Sequence, residues 1–314
     1  MKKVIGLAVM MSLGWIAVAQ ETKTPAGGGQ EQLPLETRPI VVRTDLVNVL
    51  FTATDKKNRN VLNLTKDDIR VFEDKTPQAI ENFSRESDLP LRIAILIDTS
   101  NSVRDRLRFE QEAAVDFLTT TIRPNKDQAF VVSFDNEPQM LQDYTDDVEK
   151  LAKAIRSLQA GGGTGLFEAV YFSAKEKMIF FPPPEPYLRR VMIIIGDGED
   201  NQSVRTREEA LAMAQRGEVT IFAISTNRTG AARPGDKVLR RMAEETGGQA
   251  FFPFAASDLS GDFRQIAREL RSQYSLAYVS TNKAQDGTFR TITVTPRDKD
   301  MRVRAKNGYF APSQ

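Results

Sequence analysis

The sequence has neither cysteine nor histidine in its 314 residues. Without thiols there are no disulfides, no thiolate metal sites and no cysteine nucleophile. Without imidazole, the Ser-His-Asp triad and the usual zinc sites are excluded as well. Any metal must be held by oxygen. A dominant charge is missing too: 43 Lys and Arg face 42 Asp and Glu. No global field therefore draws in nucleic acid or an anionic membrane. Long apolar runs are also scarce, and the longest opens the chain. Lys2 and Lys3 precede an apolar segment, Val4 to Ile16, and the small residues Ala17-Val18-Ala19 stand before Gln20. Residues 1–19 read as a secretory signal peptide. Nothing later is apolar enough to span a bilayer. An exported protein, periplasmic or extracellular, with no membrane span after signal cleavage, is the expectation.

Residues 20–39 carry Gly27-Gly28-Gly29, several prolines and mixed charges without apolar periodicity, so they read as a flexible linker. Periodic patterns begin beyond residue 40. Ile93-Ala94-Ile95-Leu96-Ile97 is a run of apolar, mostly β-branched residues, the signature of a strand buried on both faces in a parallel sheet. It ends in Asp98-Thr99-Ser100-Asn101-Ser102. An Asp and two alternating hydroxyls at the carboxyl end of a central strand lie where open α/β sheets place their sites. The cluster is small, hard and anionic, which suits Mg²⁺ or Mn²⁺.

Further strands and helices alternate after it. Gln128–Phe134, Arg190–Gly196 and Val219–Ser225 read as buried strands, and Pro138–Tyr144 as an edge strand. Helices are expected over Val103–Thr121, from a cap at Asp146 to Leu158, over Leu166–Phe180, from a cap at Thr206 to Arg216, over Lys237–Thr246 and over Asp258–Arg271. Pro182-Pro183-Pro184 forces an extended loop. The pattern over residues 89–272 predicts a doubly wound, mostly parallel α/β domain. On either side the alternation is β-like: Val47, Val49, Phe51 and Ala53, then Asp68–Glu73 and Gln78–Phe83, with Tyr274–Ser280, Thr288–Thr295, Met301–Ala305 and Gly308–Phe310 at the far end. Residues 40–88 and 273–314 are each too short for a good core, and short linkers join both to the α/β domain. The expectation is one sandwich of about six or seven strands with the α/β domain inserted into it.

Two more segments complete the chemistry. Thr164 sits in the loop Gly161-Gly162-Gly163-Thr164-Gly165 ahead of a helix, and Asp197 ends another buried strand. Each feature alone could be a helix cap or an ordinary turn. Together, in this order, they resemble a von Willebrand factor A domain with a metal-ion-dependent adhesion site, its motif residues standing as Asp98, Ser100, Ser102, Thr164 and Asp197. The resemblance spans about Leu89 to Arg271. Asn101 stands where that family often has Gly, and Gly196 where Thr or Ser commonly precedes the second Asp. The whole chain further resembles the exported VWFA-related proteins of acidobacteria. The resemblance implies that Ser100, Ser102 and Thr164 bind the ion directly. Asp98 and Asp197 would act largely through water or hydrogen bonds, and glycines 161–163 would let backbone approach the ion. Mg²⁺ (or Mn²⁺ or Ca²⁺) so held keeps most of its charge, and takes an Asp or Glu carboxylate of a partner protein as its last ligand at ~2.1 Å.

The expected function is therefore an exported, divalent-metal-dependent, adhesion-type protein-binding module, and not an enzyme. The alternatives are a metal-assisted hydrolase, with Glu199 or Asp200 as base, and a structural envelope protein with a vestigial site. The glycine loop lacks the spacing of a phosphate loop. The arginines at 189–190, 240–241, 268 and 271 read as solvated strand or helix ends.

Overall fold

The computed structural model describes residues 46–86, 88–179, 188–227, 233–253 and 258–313. The expected signal peptide and linker, residues 40–45 and the triple-proline loop lie outside them.

Four strands come first: β1 (Leu46–Thr54), β2 (Ile69–Glu73), β3 (Thr76–Gln78) and β4 (Ile80–Glu86). The chain then enters β5 (Leu91–Asp98), followed by α1 (Leu107–Thr121), β6 (Gln128–Phe134), β7 (Pro138–Thr145), α2 (Val148–Arg156) and α3 (Leu166–Phe172). A π-helical stretch, Ser173–Ile179, prolongs α3. Next come β8 (Arg189–Gly196), α4 (Arg207–Arg216), β9 (Val219–Ser225), α5 (Pro234–Glu245), β10 (Ala250–Phe251) and α6 (Leu259–Glu269). Four strands close the chain: β11 (Gln273–Val279), β12 (Phe289–Pro296), β13 (Arg302–Ala305) and β14 (Gly308–Phe310).

Strands β5 to β10 form one six-stranded sheet in the order β10-β9-β8-β5-β6-β7. Every pairing in it is parallel except β6 with the edge strand β7. Because side chains alternate along a strand, the apolar run of β5 supplies two cores. Leu91, Ile93, Ile95 and Ile97 pack with α1, α2 and α6, while Ala94 and Leu96 pack with α3, α4 and α5. A strand covered by helices on both faces must be apolar throughout, which is what makes it readable.

The flanking strands form two four-stranded antiparallel sheets, β13-β1-β11-β4 and β14-β12-β2-β3. Each sheet draws strands from both ends of the chain. β1 lies between β11 and β13, and β2 pairs with β12. Val49 and Phe51 of one sheet and Val71 and Ile292 of the other share one core, so the sheets face each other as a sandwich. Among the described residues the sandwich has eight strands, not six or seven, because the stretch expected as one strand near Gln78–Phe83 breaks into β3 and β4, one in each sheet. Glu73 is buried in this core, accepting from Tyr278 Oη at 2.8 Å and Tyr309 Oη at 3.0 Å, with Arg290 at 3.6 Å.

Sandwich and α/β layers belong to one compact unit. They meet at the amino-terminal pole of the parallel sheet. There Asp127 accepts from Leu91 N at 2.8 Å, from Arg123 Nε at 2.8 Å and from Arg271 at 2.8 Å. Arg189 is buried and donates to Leu270 O at 2.5 Å. Arg189 and Arg271 are thus tied structural groups, not the solvated ends their sequence context suggested. Arg304 of β13 pairs with buried Glu269 at the end of α6, and Lys306 with Glu218 at 2.9 Å. Among the described residues no helix is long and apolar enough to cross a membrane.

Candidate metal centre

The far end of the parallel sheet, where β5 and β8 stop, holds the candidate site. Asp98 is the last residue of β5 and is fully buried. Its Oδ1 accepts from Ser100 N at 2.8 Å, the turn an Asp makes two residues ahead of a helix start. Its Oδ2 is buried with no hydrogen-bond partner. A buried acceptor left bare is costly. Burial pushes the Asp98 carboxyl up to about 7, and the neighbouring Asp197 carboxylate adds to the rise. The charge that bears on this acid is therefore another acid.

From Asp98 the oxygens continue as a chain. Ser100 Oγ lies 2.8 Å from Ser102 Oγ, and Ser102 Oγ donates to Asp197 Oδ2 at 2.8 Å. The single proton of Ser102 is committed to Asp197, so the Ser100 hydroxyl donates to Ser102. Asp197 Oδ1 accepts from Glu199 N at 3.0 Å. Four of the five expected residues are thus joined directly. Thr164 is buried and has no hydrogen bond to these four; its backbone is tied to the loop after Asp197, its N–H donating to Asn201 Oδ1 at 3.0 Å and its carbonyl accepting from Asn201 N and Gln202 N at 2.9 and 3.1 Å. The glycine loop also closes on the first segment, with Gly161 N donating to Thr99 O at 2.7 Å.

Two glycines matter here for different reasons. At Gly196 a Cβ would stand 2.9 Å from Asp98 Cβ and 3.1 Å from its Oδ2, so a side chain there would displace the buried acid. Gly162 has φ +78, which favours glycine. At Gly161 a Cβ would meet no other protein atom.

Sequence reasoning missed the residues that brace the site. Asn136, after β6, accepts from Gly163 N at 2.8 Å through Oδ1. Asp200, a candidate catalytic base by sequence, is instead spent on structure. Its Oδ2 accepts from Phe167 N at 2.8 Å and Ser203 Oγ at 2.7 Å, and its Oδ1 accepts from Ser203 N at 3.1 Å. Asp200 and Phe167 are 33 residues apart in sequence, and no local spacing announces their contact.

The cluster is all oxygen and anionic. Among the described residues no group of three or more carboxylates gathers as a metal cage. The donors here are instead two acids and the hydroxyls between them. The bare Asp98 Oδ2 and this hard donor set fit a divalent cation.

Comparisons with known proteins agree on the fold. The chain is similar in structure to a von Willebrand factor type A protein from Catenulispora acidiphila, with 12% identity, a TM-score of 0.50, and coverage of 86% of this chain and 74% of that one. It is also similar to proximal thread matrix protein 1 of the mussel byssus, solved with a zinc-occupied MIDAS motif, at 19% identity and a TM-score of 0.50. That match covers 63% of this chain and half the length of the mussel protein. No curated protein matches the chain. The family profile of the von Willebrand factor type A domain matches residues 93–269, from within β5 to the end of α6. The chain belongs to the von Willebrand factor type A domain family.

Proposed function

We infer that this chain is an exported module that binds a partner protein through a divalent cation held by Asp98, Ser100, Ser102, Thr164 and Asp197. The observation that carries the reading is the chain of oxygens from Asp98 to Asp197, with one buried carboxylate oxygen bare and only a second acid bearing on its charge. A cation would relieve both. Mg²⁺ is the ion this donor set suits best, with Mn²⁺ or Ca²⁺ as substitutes. The mussel neighbour, solved with zinc in its MIDAS motif, supports the reading that this fold can hold a divalent ion. Held largely by neutral hydroxyls, the ion keeps positive charge to offer a partner's Asp or Glu carboxylate. Of the two acids a hydrolase could use as base, Asp200 is already committed to Phe167 and Ser203, which leaves only the exposed Glu199. Export rests on the pattern of residues 1–19.

Titration calorimetry with Mn²⁺ tests this. Asp98→Ala and Asp197→Ala should each abolish binding with an unchanged far-ultraviolet circular-dichroism spectrum, and Ser100→Ala and Thr164→Ala should weaken it. Saturating metal should raise the melting temperature of the wild type and leave those of the Asp98→Ala and Asp197→Ala variants unmoved, because the ion stabilises only a native state that binds it. Wild-type affinity in both Asp variants would remove the site.

A further inference from the structure

The candidate metal centre stands at one end of the parallel sheet, and a cavity of about 500 Å³ stands at the other. It lies where the sheet β13-β1-β11-β4 meets the starts of β8 and β9. Leu46, Asn48 and Leu50 of β1, with Ala277 of β11, line it from the sandwich side. They alternate with Val47, Val49, Leu276 and Tyr278 of the sandwich core, so they point away from that core. Ala277 is nevertheless buried, because the α/β layers cover this face. Leu89, Leu188, Arg190 and Val219 line the cavity from the α/β side. The two sides enclose the space without filling it. Its volume is that of a ligand site, and joints between layers are where such sites gather.

The chemistry of the lining is divided. Leu46, Leu50, Leu89, Leu188 and Val219 offer aliphatic surface from both sides, and no described residue lining the cavity is aromatic. Glu218, the one acid of the described lining, is bonded to Lys306 at 2.9 Å. Arg189 is tied to Leu270 O. Arg190 is left. It is half-buried, and its Nε donates to Met178 O at 2.8 Å, which leaves both terminal nitrogens for another acceptor. Among the described residues no carboxylate lies within ion-pair distance of it. A half-buried guanidinium without an acid beside it favours an anion, because an unpaired charge is costly to cover.

We propose that this cavity binds a medium-chain aliphatic carboxylate, its head on Arg190 and its chain between the leucines of the two sides. The terminal nitrogens of a guanidinium match a planar carboxylate with two parallel hydrogen bonds. A dianionic head would meet Glu218, and a flat ring would find no aromatic face to stack on. The site is separate from the cation, since Arg190 stands at the start of β8 and Asp197 follows its far end.

Calorimetry on the full chain with hexanoate, octanoate and decanoate, each below its micelle concentration, tests this. Affinity should rise about fourfold per added methylene, the transfer free energy of a buried CH₂, until the chain fills the cavity. Decanol should bind about ten- to hundredfold more weakly than decanoate, for want of the charge-assisted pair. Arg190→Gln should erase that preference for the acid and leave Mn²⁺ affinity unchanged. A second readout needs no variant. In the wild type, decanoate should shift the methyl resonances of Leu46, Leu50, Leu89 and Val219, and leave the exposed Leu62 unmoved. Decanol binding as tightly as decanoate, or shifts at Leu62 in place of the cavity residues, would overturn the proposal. So would the absence of saturable decanoate binding.

Discussion

At the scale of single residues, the site depends on how closely β5 and β8 approach. Asp98 can be buried beside Asp197 because the residue next to it on β8, Gly196, has no side chain. Gly196→Ala places a methyl 2.9 Å from Asp98 Cβ. It should destabilise the protein by about 1–3 kcal/mol, the range for an overpacked buried position. Because the displaced group is a proposed ligand, Mn²⁺ affinity should also fall by about 10- to 100-fold, as when a supporting contact of a metal site is lost. Denaturant unfolding and calorimetry on the same preparation read both. A destabilised variant with unchanged affinity would mean that Asp98 is not a ligand. In the sequence Gly196 stands out only as a departure from the resemblance; its reason is packing, which no one-dimensional pattern shows.

At the scale of elements, strands were more legible than helix ends. β5, β8 and β9 could be read because burial on both faces makes them apolar throughout. The cap of α2 falls one residue later than the expected Asp146. Asp147 accepts from Glu149 N and Lys150 N, while Asp146 is used by Asn125 N at 2.7 Å. Asp127 belongs to no sequence motif, yet it joins the start of β5 to residues just past α1 and α6. Burial opposes its charge, but hydrogen bonds from Arg123, Leu91 N and Arg271 win, lowering its pKa to about 2 from 3.8. A depressed folded pKa gives stability that is complete above the unfolded value and lost as pH falls through the folded one. Asp127 should therefore contribute about 2 kcal/mol at neutral pH that disappears between about pH 4 and about pH 2. Asp127→Asn should flatten that limb of the stability curve, measured by urea unfolding across the acid range. An identical acid limb would show that the pole does not depend on this charge.

For the whole molecule, the prediction concerns how the sandwich is shared. β1 has β11 on one side and β13 on the other, and both come after the α/β domain. Removing residues 272–314 deprives β1 of both pairing strands and β2 of β12, leaving β2 only the short β3. Amide exchange should rise to near-unprotected rates at Val47–Phe51 and increase at Val71–Phe72. The β5–β8 amides should stay protected, because their partners lie within residues 91–225. Protection at Val47–Phe51 equal to that of the full chain would mean that the amino-terminal strands hold themselves.

The sequence by itself determined what is periodic or chemically rare: the buried parallel strands, the β character of the flanks, and the oxygen-bearing strand ends at Asp98, Ser100, Ser102 and Asp197. Local patterns carry these because burial dictates residue type at each position. Only the tertiary structure decided that Asp98 Oδ2 has no partner, that Gly196 makes room for it and that Asp200 is spent on Phe167. It alone showed that Arg189 is buried. Each of these is a contact, or a missing contact, between segments far apart in the chain, and long-range contacts leave no period behind them.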